Sequence, residues 1–350
     1  MQTITVHAST AYPVHIGRGL LDRSGELIAS VTGARQCALV TDSTVAPLYA
    51  QRVLTSLESR GIRAKLCVFP AGERNKNLTT YGALLEEFAA MGLTRSDFVV
   101  ALGGGVTGDM AGFAAATYQR GVDYIQMPTT FLAASDSSVG GKTAVDLAAG
   151  KNLVGAFWQP RMVICDTDTF DTLSEGIFAD GVAETVKHGM IADGDFFRFL
   201  MTQDIRRHID YVVGKNVSIK AAVVGEDEFE QGKRKLLNFG HTLGHAVEKL
   251  SGFTITHGHA VAIGMVMAAR AGEKLGLSPA GTLDAVLACH GRFGLPIQCP
   301  YTAGEIYSAA TSDKKRRGGS IDVVVLSQMG RARTEKLTMD GLRDFVEAAL

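Results

Sequence analysis

No C-x-x-C pair occurs among the five cysteines of this 350-residue chain, at positions 37, 67, 165, 289 and 299, and most of them lie inside apolar segments. Their spacing argues against a disulfide framework or a cysteine-built metal site and favours reduced thiols in an intracellular protein. A dominant charge is missing too: 35 Lys plus Arg against 36 Asp plus Glu leave a formal net charge of -1, so no nucleic acid and no anionic membrane is called for as a partner. The one basic run, residues 314–317, reads as a solvated loop. No apolar stretch reaches the roughly 20 residues that span a bilayer, and the opening MQTITVHAST lacks the pattern of a secretory signal. A cytoplasmic location is therefore expected. Two nucleotide fingerprints are also absent. GGGVTGD (103–109) is not G-x-G-x-x-G, and SDSSVGGKT (135–143) carries Asp136 where the Walker pattern requires Gly.

What is present is an ordinary globular balance, 46% hydrophobic and 20% charged, in a chain long enough for two domains. Short apolar runs at 2–6, 12–16, 37–42, 64–69, 97–103, 124–130 and 161–166 alternate with helical periodicity. That alternation predicts an α/β, Rossmann-like N-terminal domain with a parallel sheet, residues 1–168. From about Thr172 helical runs dominate, interrupted by a hairpin over 320–337 turning at Met329-Gly330, so residues 169–350 are expected to form a mainly α-helical domain.

Four of the nine histidines, His241, His245, His257 and His259, fall within nineteen positions, in HTLGHAVEKLSGFTITHGH (241–259). His241 and His245, four apart, share a helical face, and clustered imidazoles on neighbouring helices suit a divalent transition metal. Polar residues at helix ends are the plainer alternative. In GVAETVKHGMI (181–191), Glu184 and Lys187 are three apart. They read either as a surface ion pair or as a metal-completing carboxylate beside an anion-binding lysine. GGGVTGD follows a strand and opens a helix, where free N–H groups attract phosphate. Asp42 ends an earlier strand, where an acid can bind ribose hydroxyls. Lys142, Lys151 and Asn152 are expected in Gly-rich loops able to hold a phosphate. Arg234 and Asn238 share a face leading to His241.

GGGVTGDMAGFAAATYQRG, PTTFLAASDSSVGGKTAVDLAAGKNLVGAFWQP, GVAETVKHGMI, RKLLNFGHTLGHAVE and HGHAVAIGM together resemble the 3-dehydroquinate synthase family, in order and over about residues 42–315. The resemblance implies conversion of 3-deoxy-D-arabino-heptulosonate 7-phosphate to 3-dehydroquinate and phosphate, with catalytic NAD and Zn2+ or Co2+, in a homodimer with its active site between the two domains. The implied metal ligands are Glu184, His241 and His257. Implied NAD positions are Asp42, Glu73, Lys76, Gly104, Gly105, Val106, Asp109, Thr129, Thr130, Lys142, Lys151, Thr169 and Thr172. Implied substrate contacts are Arg120, Asp136, Lys142, Asn152, Lys187, Lys220, Arg234, Asn238, His245 and one of the pair Lys314 and Lys315, taken as Lys314. Among these, Lys142, Lys220, Arg234, Asn238 and His245 are assigned to catalysis, His245 as a proton shuttle.

Two departures stand out. LSEGIFADG (173–181) has Ser174, Gly176 and Ile177 in a turn where the family commonly differs, and His259 replaces the family's usual acid. An exposed helix residue is the expectation for His259, with an outer metal partner or an alternative ligand as the other readings. The competing functions are another sugar phosphate cyclase, such as a 2-deoxy-scyllo-inosose synthase, and a metal-dependent polyol dehydrogenase. Arg120, Asn152, Arg234, Asn238, His245 and the run 313–315 favour the carboxylate-bearing heptulosonate. A binding protein without catalysis would have no need of Lys142, Lys187, Arg234 and His245.

Overall fold

QCALVTD and FVVALG are nearly unbroken apolar runs, the signature of strands covered on both faces. In the computed structural model, which describes residues 1–311 and 319–350, they lie in the middle of a seven-stranded sheet. Its strands are β1 (Gln2–Val6), β2 (Tyr12–Gly17), β3 (Gln36–Asp42), β4 (Arg63–Phe69), β5 (Phe98–Gly103), β6 (Asp123–Pro128) and, after a separate hairpin of β7 (Lys142–Leu147) and β8 (Gly150–Phe157), β9 (Met162–Asp166). The spatial order is β1-β2-β9-β6-β5-β3-β4, antiparallel only between β1 and β2.

Side chains alternate across each strand, so one run supplies two cores. Cys37, Leu39, Phe98, Val100 and Leu102 pack on one face with residues of α1 (Ser24–Ala29) and α2 (Gln51–Glu58). Ala38, Val40, Val99 and Ala101 pack on the other with α3 (Leu78–Ala90) and α4 (Gly105–Thr117). The helical part supplies α5 (Glu175–Ala192), α6 (Gly194–Thr202), α7 (Ile209–Glu226), α8 (His241–Leu250), α9 (His257–Lys274), α10 (Thr282–Phe293) and α11 (Ala303–Thr311). It closes with the hairpin β10 (Ser320–Gln328) and β11 (Arg331–Thr338) and α12 (Met339–Ala349). Among the described residues no helix is long and apolar enough to cross a membrane.

The chain divides into two compact units, one of residues 1–173 with 209–229, the other of residues 174–208 with 230–350. This differs from the single boundary expected after residue 168 by one returning helix. α7 packs within the first unit, against β1 and β2, with Val212, Val213 and Val217 buried. The expectation that Lys142, Lys151 and Asn152 occupy loops is corrected: they stand on the β7–β8 hairpin. Its glycine content conceals a short alternating pattern on β8, where Val154 and Ala156 are half-buried and Leu153 and Phe157 exposed.

In the second unit α8 and α9 touch backbone to backbone. A Cβ on Gly264 would lie 2.0 Å from the Gly240 carbonyl oxygen and 2.7 Å from the Gly244 nitrogen, and Gly240 itself has φ +79°. Both helices begin with a histidine, so this approach sets the spacing of His241 and His257. Gly264→Ala should therefore cost about 3 kcal/mol, as overpacking a tight contact does. Urea unfolding checks it, and a loss under about 0.5 kcal/mol would show that the helices separate freely.

Candidate active site

A buried carboxylate needs compensation, and Glu184 of α5, with no exposed surface, has three partners. Its Oε1 lies 3.3 Å from His241 Nε2 and 3.3 Å from His257 Nε2, and its Oε2 meets the buried ammonium of Lys187. Among the described residues neither carboxylate oxygen has a partner in full hydrogen-bond geometry. Burial alone would raise Glu184; Lys187 and His241 overcome it and hold the group well below the usual carboxylate range. Burial and the Lys187 charge keep His241 below its ordinary value. For His257 the lowering by burial is outweighed by Glu184 and Glu248 on its two sides, which push it up to about 10.

One donor atom from each of Glu184, His241 and His257 lies within 4.8 Å of the others. Two nitrogens and one oxygen, converging with unsatisfied carboxylate oxygens, fit a zinc-type ion with coordination positions to spare. A further residue belongs here that sequence reasoning missed. Glu248 is buried, its Oε2 is 3.5 Å from His257 Nδ1, and it falls seven residues after His241 on the face of α8 that also carries His245. The i, i+4, i+7 spacing was a readable signal. His245 is exposed, its ring 5.3 Å from that of His241 and 5.8 Å from that of His257. Arg234 is buried nearby in sequence, and Asn238 donates to Glu230 at 2.8 Å, a residue whose φ of +59° no sequence pattern announced. His259 departs from the exposed residue expected. It is half-buried and bonded to Asp180 of α5 at 2.8 Å.

In the first unit the sheet order reverses between β3 and β5: β4 lies beyond one, β6 and β9 beyond the other. Ligands of open α/β sheets bind at the carboxyl ends of the strands flanking such a reversal. Asp42 ends β3, and Gly103 to Gly105 carry β5 into α4, whose first turn has no side-chain cap. Asp42 accepts from the N–H groups of Thr44 (2.8 Å) and Val45 (3.0 Å) and meets the Thr107 hydroxyl at 3.3 Å. Thr129 donates its N–H to Gly103 at 2.9 Å, and Thr130 caps the following turn by accepting from Ala133. Thr169 and Thr172 are gathered by the Tyr49 hydroxyl.

Lys76, 4% exposed, bonds Asp109 of α4 and Asn152 of β8, each at 2.5 Å, while Lys151 pairs with Glu73 at 3.0 Å. Burial pulls Lys76 down, but Asp109 and Glu73 more than offset it and the ammonium is stabilised. Lys220 of α7 reaches Asp136 at 2.6 Å. Lys142 opens β7 and is exposed. Arg120 stands apart at the far end of α4 from the glycine turn, about 20 Å away by helical rise, exposed and with φ +65°. Lys314 and Lys315 lie outside the described residues.

This combination, a mostly parallel α/β unit and a helical unit with an N,N,O donor set, places the fold among those of sugar phosphate cyclases. A solved 2-deoxy-scyllo-inosose synthase, complexed with carbaglucose-6-phosphate, NAD+ and Co2+, is 28% identical with a TM-score of 0.89, covering 100% of both chains. A 2-epi-5-epi-valiolone synthase from Streptomyces hygroscopicus subsp. jinggangensis 5008, with NAD+ and Zn2+ bound, is 26% identical with a TM-score of 0.88, covering 99% of this chain and 97% of that one. The family models for the N-terminal and C-terminal parts of 3-dehydroquinate synthase match residues 66–180 and 181–316. A 3-dehydroquinate synthase of Streptococcus suis is 41% identical over 97% of this chain and 98% of its own length. The chain belongs to the 3-dehydroquinate synthase family.

Breaking the Lys76 pair from one side should be costly, because it strands the largely buried carboxylate of Asp109, 19% exposed. Lys76→Met is expected to lose about 3–5 kcal/mol. Adding Asp109→Leu should recover part of that, and denaturant unfolding of both variants measures the difference.

Proposed function

We propose that this chain is a 3-dehydroquinate synthase dependent on NAD and on Zn2+ or Co2+. It converts 3-deoxy-D-arabino-heptulosonate 7-phosphate to 3-dehydroquinate and inorganic phosphate, a lyase step of aromatic amino acid biosynthesis. The observation that carries the reading is the convergence of Glu184, His241 and His257, with Lys187 on the same carboxylate, in a chain of this family. The relatives solved with NAD+ and Co2+ or Zn2+ support both cofactors. The reading includes a homodimer, as the resemblance implies, and a cytoplasmic location.

When bound, NAD supplies a reversible hydride acceptor and the ion a Lewis acid for substrate hydroxyls, so the overall reaction is redox-neutral. Glu184, His241 and His257 hold the ion. Asp42 takes ribose hydroxyls, and Gly104, Gly105 and Val106 offer backbone N–H groups to the pyrophosphate. Lys76, Asp109, Glu73 and Lys151 form a charged network beside that turn, and Thr129, Thr130, Thr169 and Thr172 complete the cofactor's surroundings. Lys142, Asn152, Lys187 and Arg234 fix the substrate's carboxylate and phosphate through charge-assisted hydrogen bonds. Lys220, Asp136 and Asn238 orient its hydroxyls. His245, exposed beside the ligand imidazoles, moves a proton at a substrate hydroxyl. Loss of phosphate is a β-elimination: a base takes the proton from the adjacent carbon, that C–H electron pair forms a carbon–carbon double bond, and the carbon–oxygen pair leaves with the phosphate.

Purified protein given heptulosonate 7-phosphate, NAD+ and Zn2+ should release phosphate without accumulating NADH. Phosphate from glucose 6-phosphate alone would move the reading to an inosose-type cyclase, and steady NADH from a simple alcohol to a polyol dehydrogenase. His257→Ala should weaken zinc binding by more than the ~10–100-fold typical of losing an outer partner, and activity should fall with it. Full metal occupancy in that variant would remove His257 from the ligand set.

A further inference from the structure

The first turn of a helix carries four N–H groups without helical partners, and usually the side chain preceding the helix satisfies one of them. At α9 this does not happen. Thr256 occupies the capping position with extended backbone, yet its side chain accepts no capping hydrogen bond from a backbone N–H of the helix it precedes. The cap comes from another helix. Asp180 Oδ1, on α5, accepts the backbone N–H of His259 at 3.1 Å, the third residue of α9. The same oxygen receives the Thr256 hydroxyl at 2.6 Å and stands 2.8 Å from His259 Nδ1. Thr256 Oγ1 and His259 Nδ1 are themselves 2.7 Å apart, which closes the cluster.

Two facts connect this cap to the donor set. Asp180 lies one helical turn before Glu184 on α5, hence on the same face, and His257 is the first residue of the helix being capped. Nothing separates the two backbones at that point. A Cβ on Gly258 would fall 2.4 Å from Asp180 Cα and 2.5 Å from its carbonyl oxygen. Asp180 is thus placed to fix where α9 begins relative to α5, and with it the 3.3 Å approach of His257 Nε2 to Glu184 Oε1. His259 completes the arrangement as a donor. An acid at its position would set a second carboxylate against Asp180.

We propose that Asp180 and His259 are positioning residues, an interhelical cap that holds the ligand His257 at its working distance from Glu184. The proposal rests on the reading that Glu184, His241 and His257 hold a divalent ion. Outer partners that orient a metal ligand typically contribute ~10–100-fold in affinity, and that is the effect expected here.

The test uses purified metal-free protein titrated with Zn2+ against a chromophoric chelator, alongside circular dichroism and thermal unfolding of the same samples. Wild type should bind one ion per chain, and His257→Ala should lose it. Asp180→Ala and His259→Glu should each bind one ion ~10–100-fold more weakly, with unaltered circular dichroism. His259→Gln, which keeps a donor, should stay close to wild type, and excess Zn2+ should restore kcat in the weakened variants. If wild type binds no ion, or His257→Ala keeps it, the metal reading itself fails. If those controls behave and both Asp180→Ala and His259→Glu bind zinc as tightly as wild type, the cap has no positioning role. Should Asp180→Ala fail to fold, His259→Glu decides alone, because wild-type affinity there overturns the proposal.

Discussion

The carboxylate of Glu184 has no contact with solvent, and an ionised group in that position is tolerable only where positive charge or metal compensates it. The local architecture of the helical unit follows from that requirement. Lys187, one turn along the same helix, neutralises one oxygen, and the imidazoles of His241 and His257 converge on the other. Those imidazoles reach it because each opens its helix, and because Gly240, Gly244 and Gly264 let α8 and α9 meet without side chains between them. Glu248 then stands behind His257 on the side away from Glu184, in the position of the outer carboxylate that commonly orients a ligating histidine.

The first unit solves a different problem by different means. The groups proposed to face NAD sit where parallel strands end and the sheet order reverses, a place where backbone polarity counts. α4 starts after Gly104, which has no side chain to cap its first N–H groups. Asp42 spends one carboxylate oxygen on the turn after β3, which fixes its direction before any ligand arrives. The hairpin of β7 and β8 brings Asn152, in a left-handed conformation, to Lys76.

Much of this was legible in the sequence, for identifiable reasons. Unbroken apolar runs such as FVVALG, six residues long and closed by glycines, read as strands covered on both faces, and the 320–337 hairpin is marked by its Met329-Gly330 turn. Glu184, His241 and His257 were singled out by residue type, helical spacing and family resemblance, and the structure brings them together. Features that depend on distant segments left no local trace. α7 has the same helical periodicity as its neighbours, so nothing in residues 209–226 announced that it would pack against β1 and β2. Asp180 carries no local signal of its contacts, since its partners Thr256 and His259 are more than seventy positions away. His259 was misplaced at the surface for the same reason.

Three buried lysines, Lys76, Lys187 and Lys220, are each held by an acid: Asp109, Glu184 and Asp136. Taking an ammonium out of water without a counter-charge is costly. Pairing compensates each charge and leaves the site close to neutral. A phosphate or carboxylate entering such a site competes with the resident acid for the ammonium rather than meeting a bare charge. In general such pairing costs affinity but discriminates: a neutral group gains nothing from the exchange, whereas an anion can re-pair the ammonium. A paired lysine is thus more selective among ligands than an exposed one, which meets any anion as a bare charge.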